Sequence, residues 1–189
     1  MYQPPPVFPE QIVTERLVLR PYRPGDGRWY AEMSARNRPH LARYEADNPV
    51  MTIRSAEDAE AVLRTFAADR AEGRAFFLGC FLKDDGAFAG QLYLGCLSWE
   101  PPEFALGYFA DAEHTGRGYL TEAARAVLRL CFEQLGARRV RLECDDTNGP
   151  SARLAERLGF ALKEHLHETH RWPDGSLSGT LRYTLELLP

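Results

Sequence analysis

The sequence predicts an α/β fold, a single domain in which strands and helices share one core. Three observations carry this. Helical patterns of apolar residues recur at 55–73 and 119–135. Strand-like runs are joined by the turn clusters Lys83-Asp84-Asp85-Gly86 and Trp172-Pro173-Asp174-Gly175. A strand, a glycine loop and a helix follow one another between Phe104 and Gly136. With 189 residues of which 44% are apolar, one domain buries enough surface to fold without disulfides or a structural metal. Against 27 acidic side chains stand 23 basic ones, a net charge of −4. That balance excludes a broad basic field for engulfing nucleic acid but leaves room for a local patch that holds a phosphorylated cofactor.

Taken in order, Pro4, Pro5, Pro6 and Pro9 make residues 1–11 an extended arm, so the domain is expected over 12–189. Leu17 and Leu19 alternate with Arg16 and Arg20 as a half-buried strand stopped by Pro21, and a helix follows from about Asp26 to Arg38. Ser55 and Asp58 form a capping box that opens a helix through Ala59, Val62, Leu63 and Phe66, ending near Gly73. Ala75–Leu82 and Phe88–Leu97 read as a hairpin, and Pro101-Pro102 breaks the chain before a short strand, Phe104–Phe109. Beyond Asp111–Gly118 a helix presents Ala123, Ala124, Val127, Leu128, Cys131 and Leu135 on one face and closes at Gly136. Val140–Cys144 is a further strand, Pro150–Leu158 a short helix, and Ala161–Trp172 and Thr180–Leu187 a last pair of strands.

The four cysteines, Cys80, Cys96, Cys131 and Cys144, lie far apart in apolar stretches, as buried thiols of a reducing compartment do. The N-terminus has neither the basic start nor the apolar core of a secretory signal, and no window reaches the length of a membrane span. A cytoplasmic protein without a membrane partner is expected.

Chemistry concentrates in two places. Gly116 and Gly118 let a backbone wrap a phosphate at the start of a helix, where N–H groups are unpartnered and the dipole favours an anion; Arg117 adds charge between them. An isolated pair of such glycines is more simply a tight turn, and neither GxGxxG nor GxxxxGK[ST] occurs. About thirty residues on, Asn148 and Ser151 sit between a strand and a helix, where alone they read as a cap and a first-turn residue.

Together these segments resemble the GNAT superfamily of acetyl-CoA-dependent N-acetyltransferases, and within it the RimJ/RimL-type branch that acetylates ribosomal-protein N-termini. The resemblance runs from Thr14–Pro21, like that branch's opening strand, through Asn37–Leu41 and Gly107-Tyr108-Phe109. It continues in Gly116–Ala123, like the pyrophosphate loop, and in Asn148–Ser151 with Leu158-Gly159-Phe160, like the second cofactor motif. The superfamily's loop pattern falls here on Thr115, Gly118 and Leu120, whose first and last positions depart from it. A tyrosine that many relatives carry seven residues after the asparagine is Ala155 here.

The resemblance implies a mixed, mostly antiparallel sheet of about seven strands flanked by helices, with a splayed central pair forming an acetyl-CoA cleft. It implies that Tyr108, Phe109 and Ala110 pair with the pantetheine arm and that Gly116, Arg117, Gly118, Tyr119, Leu120 and Thr121 hold the pyrophosphate. Asn148 would hold the arm, and Ser151 would protonate the departing thiolate. An α-amine with a pKa near 8 costs only about 1.2 kcal/mol to deprotonate at pH 7, against roughly 4.6 for a lysine, so the base can be weak. Glu103 and Glu143 are the candidates for it. His165 and His167 share a strand face as a two-histidine metal site would, yet no third ligand is evident and no metal is expected. The expected acceptor is a primary amine, best a protein N-terminus, and a homodimer is compatible with the resemblance. The alternatives are a small-molecule acetyltransferase acting on a polyamine, aminoglycoside or amino acid, and a non-catalytic acyl-CoA-binding regulatory module.

Overall fold

The computed structural model describes residues 8–186. Pro4–Pro6 and Leu187 lie outside the described residues. The chain runs β1 (Ile12–Val13), β2 (Leu17–Pro21), α1 (Gly27–Leu41), α2 (Ala56–Ala71), β3 (Ala75–Leu82), β4 (Phe88–Trp99), β5 (Pro102–Ala110), α3 (Tyr119–Glu133), β6 (Arg139–Asp145), α4 (Gly149–Arg157), β7 (Ala161–Arg171) and β8 (Leu177–Glu186). These strands form one eight-stranded sheet in the order β1-β2-β3-β4-β5-β6-β8-β7. Among its pairs, β5 with β6 is parallel and the others are antiparallel. The strand beyond the expected seven is the two-residue β1, too short to show an alternation in the sequence.

The two sheet faces bury separate clusters. Leu17, Leu19, Phe104, Leu106, Val140 and Leu142 pack under α3, whose Ala123, Ala124, Val127 and Cys131 are all buried as their helical spacing requires. On the opposite face Tyr22, Phe88 and Phe109 pack with Tyr30 and Met33 of α1 and with Ala59, Leu63 and Phe66 of α2. Phe8, four residues before the expected start of folding, stacks on Phe76 with ring centroids 4.2 Å apart and belongs to the first cluster. No helix among the described residues is long and apolar enough to cross a membrane.

Most element ends follow local chemistry. Ser55 caps α2 by accepting from the Asp58 N–H, while the Asp58 carboxylate accepts from the Ser55 N–H. The expected end of α1 at Arg38 is overrun, since Pro39 lies inside the helix. Tertiary contacts hold both flanks of that proline: Arg38 donates to the Ile53 carbonyl, and Asn37 and Leu41 are buried. Likewise β5 begins at Pro102 rather than Phe104, because Pro102 pairs with Trp99 across a tight return.

One polar latch joins α1 to the end of β5. The fully buried Asp111 carboxylate accepts from Asn37 Nδ2 (2.8 Å), Arg36 (2.9 Å) and the Glu113 N–H (3.2 Å), and lies 3.2 Å from His114 Nδ1. In return Asn37 Oδ1 accepts from the Ala112 N–H at 2.8 Å. Burial opposes the Asp111 charge, but the bonds from Asn37, Arg36 and His114 outweigh it and hold the pKa below the ordinary value. Its contribution to stability is therefore present above the unfolded carboxylate value of about 3.9 and is lost as pH falls through the folded one. Asp111→Ala strands the Asn37 amide and the Arg36 guanidinium, and should cost about 2–3 kcal/mol in urea unfolding at neutral pH. Wild-type stability in that variant would show that the latch contributes nothing.

Candidate active site

The site begins where the sheet opens. β5 and β6 pair only over Glu103–Ala105 and Arg139–Arg141, at the start of both strands. Past that point β5 stays bonded to β4 through Ala110, and β6 to β8 through Asp145, so each keeps its outer partner while the edges between them part. Tyr108, Phe109 and Ala110 thus present a strand edge that β6 does not cover, where a ligand carrying amides can add as a strand would. The expected splayed central pair is this fork.

At its mouth lies the glycine loop. Gly116 and Gly118 have φ of +74° and +78°, the left-handed region where an L side chain is strained. Gly118 is the N-cap of α3 and, having no side chain, leaves the first N–H groups of that helix without a capping partner. From the start of the chain Arg16 donates to the Arg117 carbonyl (3.1 Å) and to Glu122 (2.6 Å), and lies 4.6 Å from the centre of the Tyr119 ring. Glu122 also accepts from Thr14 Oγ1 at 2.6 Å. Leu120, the departure from the loop pattern, packs toward the core, its Cδ2 filling the space a Cβ on Gly90 would need.

Across the fork the Tyr108 hydroxyl meets Ser151 Oγ at 2.9 Å. Ser151 opens α4, whose N-cap Asn148 accepts from the Ser151 N–H at 3.2 Å. Asn148 is therefore a cap, as its residue type alone implies, and its Nδ2 makes no hydrogen bond to the described residues. Burial pushes the Tyr108 phenol well above its ordinary pKa, only partly offset by Ser151. Burial also raises the Cys144 thiol, an effect that Ser151 partly offsets. Ser151 and Tyr108 thus form a hydrogen-bonded pair of weak acids, protonated at neutral pH and able to hand a proton to a leaving thiolate. The family resemblance implies a role for Tyr108 only through its backbone; its side-chain role has no local signal in the sequence.

Neither carboxylate expected as a base reaches this group. Glu103 sits at the closed end of the fork, clasped by Arg139 (3.1 Å) and Arg141 (2.7 Å). Five residues separate it from Tyr108, about 16 Å of strand, and the odd offset puts the two side chains on opposite faces. Glu143 lies on the face opposite its neighbour Cys144, paired with Arg182 at 2.9 Å. His165 bonds Asp146 at 2.9 Å, and its ring lies 4.0 Å from that of His167. Among the described residues no group of three His, Cys, Asp or Glu side chains is arranged to hold a metal ion.

A strand edge open to amides, ending at a helix start open to phosphate, fits a CoA thioester, so the fork and loop define an acyl-CoA transferase. Residues 16–161 match the acetyltransferase (GNAT) domain family, and the chain belongs to that family. It is an N-acetyltransferase with acetyl-CoA as cosubstrate. An uncharacterized N-acetyltransferase of Bacillus subtilis, YnaD, is 25% identical over 171 residues, which cover 86% of this chain and 92% of YnaD. Two solved structures are similar in fold. RimL, a ribosomal L7/L12 α-N-protein acetyltransferase in complex with coenzyme A, superposes with TM-score 0.83 at 18% identity, covering 93% of this chain and 97% of its own. MccE, a microcin C7 self-immunity acetyltransferase in complex with acetyl-CoA and AMP, gives 0.84 at 18% identity, covering 96% and 98%.

Two measurements test the loop. Saturating CoA at about 100 times its Kd should stabilise the protein by about 2.7 kcal/mol, a rise in Tm of roughly 5–11 °C. Gly118→Val, which strains the left-handed N-cap, should weaken CoA binding about 5- to 30-fold in calorimetry, the loss expected from about 1–2 kcal/mol of backbone strain. Equal affinity in the two proteins would place the pyrophosphate elsewhere.

Proposed function

We propose that this enzyme transfers the acetyl group of acetyl-CoA directly to the α-amine of a protein or peptide N-terminus. In this reading the backbone of Tyr108–Ala110 takes the pantetheine arm, the amides of Gly116–Thr121 and Arg117 take the pyrophosphate, and Asn148 Nδ2 helps to hold the arm. The reaction involves no acyl-cysteine, since a Cys144 thiol raised above its ordinary pKa supplies little thiolate at neutral pH. Ser151, backed by Tyr108, gives its proton to the sulfur as the carbon–sulfur bond breaks. The four free cysteines support a reducing, cytoplasmic setting.

The observation that carries the acceptor is the fate of Glu103 and Glu143. With both held in arginine pairs away from the Ser151–Tyr108 group, neither supplies the strong basic assistance that a lysine demands. An α-amine, with a pKa near 8, sheds its proton at a cost of about 1.2 kcal/mol at pH 7. The action of RimL on a protein α-amine agrees with this, although MccE matches the fold equally well and fold alone does not choose an acceptor.

A thiol-release assay with acetyl-CoA should show turnover on peptides with free α-amines well above that on polyamines, aminoglycosides or free amino acids. Turnover on small amines with none on any peptide would overturn the acceptor, and tight CoA binding without transfer to any amine would favour a regulatory module. Ser151→Ala should lower kcat by about tenfold to a thousandfold while leaving acetyl-CoA affinity nearly unchanged, as removal of a leaving-group acid does. Full activity in Ser151→Ala would return that residue to the first turn of α4.

A further inference from the structure

We propose that Glu45 is the carboxylate that receives the acceptor ammonium and takes its proton, an inference that rests on the amine-acetyltransferase reading above. Its placement comes from the segment between α1 and the short 3-10 turn Pro49–Met51. The Tyr44 hydroxyl donates to the Thr147 carbonyl at 3.1 Å, and the Tyr44 ring meets Trp172 edge-on, centroids 6.1 Å apart. This bond docks the segment on the loop that carries Asn148 and leads into Ser151. Glu45 is the next residue, half-buried, and its charge acts on the Tyr108 hydroxyl. The docked segment thereby carries it to the end of the fork where Ser151 and Tyr108 meet, from which Glu103 and Glu143 are withheld.

Asp47, on the same segment, is exposed to solvent, and the other carboxylates toward this end of the fork are engaged. Asp111 is saturated by Asn37, Arg36 and His114; Glu122 is held by Arg16 and Thr14. Asp145 accepts from Thr147 and Ser178, and Asp146 is paired with His165. Glu45 has one side-chain partner among the described residues, the neutral Asn48 amide, which donates to Oε2 at 3.1 Å. Its Oε1 makes no hydrogen bond to them. An acceptor cation is the complement such a group lacks.

Burial also raises the Glu45 pKa, against a smaller effect of Asn48, which makes it a better proton acceptor. The titratable and charged groups around it are Arg43, Tyr44 and Asp47 on its own segment and Tyr108 from β5, at which Cys144 of β6 and Arg157 of α4 are also felt. In the reaction the ammonium gives one proton to Glu45, which later returns it to water. The neutral nitrogen then bonds the acetyl carbon, and the carbon–sulfur bond breaks. The sulfur takes a proton from Ser151, and Ser151 is reprotonated by the second proton leaving the nitrogen. The products are an amide, a thiol and one released proton.

Glu45→Gln keeps the shape and the Asn48 bond, so acetyl-CoA affinity and Tm should stay near those of wild type. At pH 7 its kcat/KM should fall about tenfold on an α-amine, the size of the deprotonation step for a pKa near 8, and more on an amine of higher pKa. The deficit should shrink to a few-fold at about pH 9.5, where an α-amine arrives neutral. Glu45→Asp should recover part of the rate. A deficit that does not change with pH, or none at all, would overturn the proposal, because a structural role predicts a constant loss. Peptide turnover by wild type with a pH-independent Glu45→Gln would sink the proposal and keep the acceptor reading; a pH-dependent deficit on a non-peptide amine would do the reverse. No acetylation of any amine would end both.

Discussion

The site depends on a pairing that stops. β5 and β6 share three residues of parallel ladder and then separate, although each stays fully bonded on its far side. Unpaired strand edges inside a sheet are costly unless water or a ligand satisfies them, so the fork is a slot waiting for a chain of amides. α3 connects the end of β5 to the start of β6, and α4 leaves the end of β6, so the two helix starts that frame the slot are consequences of strand direction. Ser151, on the helix that leaves β6, reaches Tyr108 of β5 across the gap between the diverging strands.

The loop at the mouth shows how a local conflict is resolved. Glu122 places negative charge in the first turn of α3, which suits the helix dipole but would repel a pyrophosphate. Burial works against its ionisation, yet Thr14, the Arg16 N–H and the Arg16 guanidinium hold it ionised, with a pKa below the ordinary value. The same guanidinium ties down the Arg117 carbonyl and covers Tyr119. Arg16 thus offsets the charge of Glu122 and fixes the loop, leaving the amides and Arg117 to meet an anion. A residue of the opening strand does this across 106 positions of sequence.

Legibility in the sequence followed the range of the interaction. The Ser55 box, the Lys83–Gly86 hairpin and the strand–glycine–helix unit are set by residues a few positions apart, and the structure carries each where the sequence puts it. The end of α1 was not legible, because Pro39 is a helix breaker by local rules and is overruled by Arg38 and Ile53, fifteen residues apart. Glu103 and Glu143 drew attention as carboxylates on the right strands. Strand membership does not say which face or which end of a fork a side chain occupies, and here parity and register turn both away.

Glu45 was invisible for the opposite reason. Nothing in its neighbourhood of sequence distinguishes it from the other acidic residues, and its position is made by Tyr44 touching Thr147, 103 residues on. A carboxylate clamped by arginine is stabilised as an anion and is a poor proton acceptor; one that is buried with a single neutral partner is a better one. The fold uses both kinds. It spends Glu103, Glu143 and Asp111 on holding strands and helices together, and it leaves the half-buried Glu45 on a docked segment beside the thiolate's proton donors. In the proposed reaction, acid and base then approach the fork from different elements, Ser151 on α4 and Glu45 on the segment after α1, which lets the acceptor enter between them.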